Sequence, residues 1–113
     1  MIEVAITNVS TVVTDDQVVN AVPAWQAQVT EDFCPVWGVD AVVKFYRKSE
    51  TPPACWPLQL VDNSDQAGAA GYHLTKLGIP YGYVFVKTDI DNGLQWTATA
   101  SHELLELLAD PYV

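Results

Sequence analysis

The segment from about residue 95 to residue 109 constrains the fold more than any other part of this sequence. It contains no Gly or Pro and is followed by Pro111, so it predicts one uninterrupted helix. Its apolar residues are Trp96, Ala98, Ala100, Leu104, Leu105, Leu107, Leu108 and Ala109. Because these residues cover most of the helix circumference, the helix has to be largely buried and the rest of the chain has to surround it.

Four earlier segments have the composition of strands. They are residues 2–9, 39–46, 58–61 and 81–88. In the first two, apolar residues recur at every second position, which is typical of a strand with one face in a core. These strands and the last helix predict a single α+β domain spanning residues 1–113, with a sheet of about four strands.

A second helix is predicted after the first strand. Thr14 and the glutamine three residues later have the spacing of a capping box, which marks the start of a helix. We expect this helix to cover about residues 15–32, with a kink or a break at Pro23. It should end before Cys34 and Pro35, because the residue that precedes a proline avoids the α-helical region.

Residues 62–80 contain three glycines and show little periodicity. We expect a long loop here, of the kind that often shapes a functional site. His73 lies on this predicted loop. The predicted order of elements is therefore strand, helix, strand, strand, strand, helix.

The charge of the chain excludes one class of partner. Fourteen acidic residues against five basic ones give a formal net charge of −9, whereas phosphate backbones are bound by clusters of Lys and Arg. We therefore expect no nucleic-acid partner. The sequence also has no apolar run of about 18 residues and no signal peptide at its start, so we expect no membrane partner and no export.

The two cysteines leave two alternatives open. Neither Cys34 nor Cys55 has a second Cys or a His at the spacing of a metal site. Two reduced thiols fit a reducing compartment, and a single disulfide between them is the other interpretation.

A narrow polar strip runs along the last helix. With His102 at 0° and about 100° per residue, Glu106 falls near 40°, Asp110 near 80° and Glu103 near 100°. Like charges four residues apart weaken a helix by about 0.2–0.5 kcal/mol per pair, and acidic groups in the last turn oppose the helix dipole. A bound cation would remove both penalties, so the strip predicts a metal site. The alternative is a solvated acidic face.

Residues 100–111, with the sequence ASHELLELLADP, resemble the active-site helix of zincin metallopeptidases, with Glu106 in place of the second metal-binding histidine. The segment looks most like phage and bacterial zincin-like proteins whose helix reads SHELLE followed by DP. The resemblance also covers PVWGVD at residues 35–40, DNSDQAG at residues 62–68 and GYH at residues 71–73.

This resemblance implies a zincin-like fold, in which a small mixed sheet and a backing helix precede a C-terminal active-site helix. It implies Zn²⁺, or another divalent cation, held by His102 and Glu106. Glu103 would be the general base that takes a proton from the attacking water. The strand at 81–88 would be an edge strand to which an extended peptide substrate adds.

The third metal ligand has two candidates under this interpretation. Asp110 lies about 12 Å along the helix axis from His102, so it reaches the same ion only if the helix unwinds before Pro111. His73 is the alternative, as a ligand or as a catalytic donor to the developing oxyanion. A loop histidine satisfied by backbone or water is the plainer interpretation of His73.

The function implied by the resemblance is zinc-dependent hydrolysis of peptide bonds. The alternative is a catalytically incomplete zincin-like structural or interaction protein associated with phage. Because other zincins continue beyond this helix, a missing C-terminal subdomain, or a fragment of a longer protein, is a further expectation. The expected location is the cytoplasm or a virion, and the oligomeric state is open.

Overall fold

One mixed sheet of five strands organises the chain. The structure is a computed structural model that describes residues 1–64 and 71–112. The strands are β1 (Ile2–Asn8), β2 (Ala41–Phe45), β3 (Trp56–Val61), β4 (Gly71–Lys76) and β5 (Ile79–Phe85), in the spatial order β2-β1-β3-β5-β4. All neighbours pair in parallel except β4, which is antiparallel to β5. The α+β class is confirmed, with five strands where about four were predicted.

Helices follow β1 and β5. They are α1 (Asp15–Ala27), a π-helical segment (Gln28–Phe33), α2 (Cys34–Trp37), α3 (Val86–Asp91) and α4 (Trp96–Ala109), and a short 3₁₀ turn covers Lys48–Glu50. The capping box at the start of α1 is confirmed. The Gln17 backbone N–H donates to Thr14 Oγ1 over 3.2 Å, and the Thr14 N–H donates to Gln17 Oε1 over 2.8 Å.

The helical path continues past the point where the sequence predicted its end. α1 runs through Pro23, and the backbone then widens to the π-helical hydrogen-bonding pattern, with the Cys34 N–H donating to the Val29 carbonyl. Pro35 follows directly, in the first turn of α2, so the wider π-helical turn precedes the residue that has no N–H to donate. The helical path stops at Gly38, whose φ of 71° suits glycine.

The core lies between one face of the sheet and the packed pair α1 and α4. Trp25 of α1 contacts Trp96 of α4 edge to face at 6.1 Å, and its Nε1 donates to the Thr97 carbonyl over 3.2 Å. Residues with almost no exposure include Val4, Ile6, Val18, Val29, Leu58, Leu60, Val84, Leu104 and Leu107. The prediction that the last helix is largely buried is therefore confirmed for the face of α4 that packs against the sheet.

The predicted loop at 62–80 is wrong for its second half, because Gly71–Lys76 forms β4 in a hairpin with β5. Leu77 and Gly78 make the turn with φ of 52° and 80°, the left-handed values typical of a two-residue hairpin loop. β4 has no buried residue, and its only apolar alternation, Tyr72 and Leu74, is too short to predict a strand. Residues 65–70, the middle of the predicted loop, lie outside the described residues.

The strand predicted at 81–88 is confirmed for residues 81–85, but its predicted end and its position at the edge of the sheet are wrong. β5 ends at Phe85 and residues 86–91 form α3. β5 pairs with β3 on one side and with β4 on the other, so both of its backbone edges are occupied. The hairpin turn places β4 outside β5, and β4 is the outer strand at this side of the sheet.

Two smaller expectations can be compared with the structure. Cys34 is half-buried and Cys55 is buried, and the two thiols are not joined in a disulfide.

Within residues 1–64 and 71–112, no helix has the length and apolar character needed to cross a membrane.

Candidate metal centre

Strand β4 and helix α4 bring three potential metal ligands together. His73 is the third residue of β4, and Glu103 and Glu106 come from the facing surface of α4. One ligand atom from each lies within 4.8 Å of the others. His73 Nδ1 is 4.0 Å from Glu103 Oε2 and 3.9 Å from Glu106 Oε2. We call these three side chains the β4–α4 group.

Glu103 is the buried member of this group. The residue is only 5% exposed, and its Oε2 accepts no hydrogen bond from the described residues. Burial raises the pKa of the Glu103 carboxyl and the Glu106 carboxylate raises it further, while His102 and His73 act to lower it. A buried carboxylate oxygen without a hydrogen-bond partner is costly, and a nearby cation would relieve that cost.

The space for Glu103 depends on Gly71. A Cβ at Gly71 would lie 2.8 Å from Glu103 Cγ and 2.7 Å from the Tyr83 backbone oxygen, and both distances are shorter than carbon and oxygen atoms tolerate. Gly71 is two residues before His73, so both face α4 from the same side of β4. The glycine therefore admits the Glu103 side chain next to His73.

The contact on the far side of the His73 ring fixes its orientation. His73 Nε2 lies 2.9 Å from the backbone oxygen of Asp110. Because a carbonyl oxygen only accepts hydrogen bonds, we assign the proton to Nε2. In a neutral ring, Nδ1 then presents its lone pair to Glu103 and Glu106. Metal-binding histidines are commonly held in this way, with the second ring nitrogen donating to a carbonyl or carboxylate.

His102 lies on the solvent side of the group. Its Nε2 is 3.1 Å from Glu106 Oε1, with the His102 side chain 65% exposed and the Glu106 side chain 50% exposed. The two oxygens of Glu106 are thus directed to different imidazoles, Oε1 to His102 and Oε2 to His73. His102 and Glu106 are therefore in contact across one helical turn, but His102 is outside the group of converging ligand atoms among the described residues. That both side chains bind one ion stays a prediction.

Asp110 contributes backbone and not side chain to this centre. It caps α4, and its N–H donates to the Glu106 carbonyl over 2.8 Å. α4 continues to Ala109 without unwinding, and the Asp110 carboxylate is outside the group of converging ligand atoms. A metal-binding role for the Asp110 side chain stays a prediction.

Lys and Arg side chains do not neutralise the acidic strip. Among the salt bridges of the described residues, Glu103 and Glu106 have only histidine partners. The one bridge involving a lysine joins Lys87 to Asp91 at 3.2 Å, within α3. Among the described residues, the negative charges of Glu103 and Glu106 are therefore not offset by a Lys or Arg side chain.

The donor set fits a zinc ion. Imidazole nitrogen and carboxylate oxygen are both ordinary zinc ligands, and two such atoms on a tetrahedral zinc lie about 3.3–3.4 Å apart. The His73 to glutamate distances of 3.9 Å and 4.0 Å are slightly wider. Small side-chain rotations would close them, and the half-exposed Glu106 has room for such a rotation.

The sequence alone did not reveal where His73 lies. It placed the histidine on a loop, because β4 offers no buried residue to mark it as a strand. The glycines at 71 and 78 were the available signal, since one admits Glu103 and the other makes the hairpin turn.

Comparisons with protein families, with curated proteins and with solved structures find no match for this chain.

Proposed function

We propose that this chain is a zinc-dependent, zincin-like peptide hydrolase whose metal is held between β4 and α4. His73 and Glu106 are the proposed ligands from the two elements, with His102 as the further ligand beside Glu106. The observation that supports this most directly is that His73 Nδ1 lies 4.0 Å and 3.9 Å from the carboxylates of Glu103 and Glu106, and that the buried Glu103 Oε2 has no hydrogen-bond partner among the described residues. Another divalent cation with the same ligand preferences is an alternative occupant.

Glu103 is the proposed general base. Its carboxyl lies beside His73, and Oε2 accepts no hydrogen bond from the described residues. Burial raises the pKa of this carboxyl, which is the direction that strengthens a glutamate as a general base. When bound, the ion would polarise the substrate carbonyl and acidify water. Glu103 would take the proton from that water and later pass it to the leaving amine.

The proposed substrate is an extended peptide that adds to the outer edge of β4. Among the described residues, β4 pairs as a strand only with β5, and an outer strand is the position at which an extended peptide adds to a sheet by main-chain hydrogen bonds. His73 is near the middle of this strand. A peptide added here would therefore pass the β4–α4 group, whereas one added at 81–88 has no free edge to pair with.

Zinc titration by calorimetry tests the proposed ligands. The protein is prepared without a histidine tag, treated with a chelator and titrated with zinc alone. We expect one zinc per chain, and His73→Ala or Glu106→Ala should weaken binding by more than the 10–100-fold typical of losing an outer-shell contact. Thr75→Ala, on the same face of β4, and Glu31→Gln, on the exposed surface, are matched controls that should bind zinc normally.

Cleavage of an unstructured protein such as casein tests turnover separately. Glu103→Gln should retain zinc and lose cleavage, because the general base is removed and the ligands remain. Zinc binding with no cleavage by the wild-type protein would favour the second candidate, a zincin-like interaction module. Absence of zinc binding, and of binding by other divalent ions, would contradict both candidates.

A further inference from the structure

An apolar groove adjoins the candidate metal centre on the side away from β4. It lies between α4 and the helical path that includes α2, with a volume of about 240 Å³. Its lining residues are Phe33, Trp37, His102, Leu105, Glu106 and Ala109. Two of these, His102 and Glu106, also belong to the centre, so a molecule in the groove touches the proposed metal ligands.

Two stacked aromatic rings form one wall of this groove. Phe33 and Trp37 are four residues apart, and their rings lie 5.7 Å apart at an interplanar angle of 7°. Phe33 is buried and anchors the pair, whereas Trp37 remains 59% exposed. A large aromatic side chain that is held in place and left open to solvent beside a candidate site is typical of a binding surface.

The opposite wall comes from one face of α4. Leu105 and Ala109 are four residues apart on that helix, next to the strip that carries His102 and Glu106. The groove is therefore apolar along its length and polar only where it meets the metal centre. An occupant that suits both parts has an apolar side chain attached to a polar backbone.

The surrounding charge excludes acidic occupants. Glu106 lines the groove, and the exposed Glu31 and Asp32 immediately precede Phe33. No Lys or Arg is among the lining residues. A carboxylate placed here would lose water and gain no cation, whereas an aromatic or aliphatic side chain would bury its surface against Trp37 and Leu105.

We infer that this groove selects peptides by accepting one large apolar side chain close to the bond that is cleaved. The inference rests on the proposed function, because it assumes that the ligand is a peptide. Trp37 is then a specificity-determining residue on the helical path, and its role is separate from that of the proposed metal ligands.

The test compares two peptides that differ at one position. Both are unstructured and built from glycine and serine, with either a phenylalanine or an alanine at the centre. Their binding to zinc-loaded Glu103→Gln protein is measured by calorimetry, so that no turnover is needed. We expect the phenylalanine peptide to bind at least about tenfold more tightly, as a buried aromatic contact of about 1.4 kcal/mol would give.

Trp37→Ala should abolish this preference when made in the same background. Val36→Ala is the matched control, because Val36 is a neighbouring exposed apolar residue, 79% exposed, that does not line the groove. Far-ultraviolet circular dichroism establishes that both variants are folded. Equal binding of the two peptides to the parent protein, or an unchanged preference in Trp37→Ala, would overturn the inference.

Cleavage of casein by the wild-type protein separates this inference from the proposed function. Cleavage without any role for Trp37 in peptide preference would leave the hydrolase proposal standing and overturn the groove assignment. A Trp37-dependent preference without cleavage would support the groove as a site for a large apolar side chain and contradict the hydrolase proposal.

Discussion

Among single residues, Glu103 has the most unusual surroundings in the candidate metal centre. The side chain is placed where burial raises the pKa of its carboxyl, where the nearby Glu106 adds repulsion, and where Oε2 lacks a partner. Each of these features destabilises the folded chain when no cation is bound. Destabilising groups of this kind are common at functional sites, where stability is lost in exchange for activity.

Glu103→Gln should therefore stabilise the metal-free protein at pH 7. Removing an unpartnered buried charge is worth about 1–3 kcal/mol, measured as the free energy of unfolding in urea. Because the folded-state pKa is raised above the ordinary value of 4.5, the wild-type chain should lose stability as the pH rises from about that value. Glu103→Gln should lack this loss of stability with rising pH, and the control Glu31→Gln should retain it. A destabilised variant at pH 7 would contradict this interpretation of Glu103.

Gly71→Ala tests the space beside Glu103. The new Cβ would meet Glu103 Cγ at 2.8 Å and the Tyr83 backbone oxygen at 2.7 Å, and the backbone contact cannot move aside easily. Overpacking of this kind costs about 1–3 kcal/mol, so urea unfolding should show a lower stability, and casein cleavage should be slower because the proposed general base is displaced. Cleavage equal to that of the wild-type chain would show that Gly71 does not position Glu103.

At the scale of elements, the hairpin of β4 and β5 determines where His73 lies. β4 is attached to the sheet only through β5 among the described residues. Its geometry is set by a turn in which a non-glycine residue, Leu77, has a φ of 52°. Left-handed backbone is unfavourable for a leucine, and Leu77 is fully exposed, so its side chain has no packing to offset that cost.

Two substitutions in this turn should have opposite effects. Leu77→Asn should stabilise the chain by a few tenths of a kcal/mol up to about 1 kcal/mol, because asparagine tolerates left-handed backbone. Gly78→Ala, at a φ of 80°, should destabilise it by about 1 kcal/mol. Thermal unfolding measures both. Zinc affinity should fall only in Gly78→Ala, and equal effects of the two variants would contradict this description of the turn.

The elements differ in how well the sequence predicted them. β1, β2, α1 and α4 were predicted because each buries a periodic set of apolar residues in the core. β4 was missed because its apolar pattern is too short to predict a strand and none of its residues is buried, and the edge position of 81–88 was implied only by the zincin resemblance. The end of the first helix was placed too early, because the π-helical segment that accommodates Pro35 has no pattern of its own.

Helical periodicity predicted only those site residues that are close together in the sequence. His102, Glu103 and Glu106 are neighbours on one helix, so helical periodicity alone placed them together. His73 approaches from a strand 29 positions or more away in sequence, and its contact depends on the hairpin and on Gly71. Single-sequence periodicity carries no information about such a long-range pairing.

At the scale of the whole molecule, metal binding should be coupled to stability. The proposed ligands come from β4 and from α4, so an ion between them joins the outer strand to the last helix. A ligand that binds only the folded chain stabilises it by about 2.7 kcal/mol at 100 times its dissociation constant. Thermal unfolding of the wild-type protein should therefore shift upward with zinc, and that shift should shrink on acidification because the ligands must lose protons to bind. A melting temperature that does not respond to zinc would contradict this coupling.

Anomalous diffraction at the zinc absorption edge, from crystals grown with zinc, tests the central claim most directly. We expect one strong peak between β4 and α4, in contact with His73 Nδ1 and a carboxylate oxygen of Glu106. A peak bound only by His102 and Asp110, or no peak near His73, would contradict it.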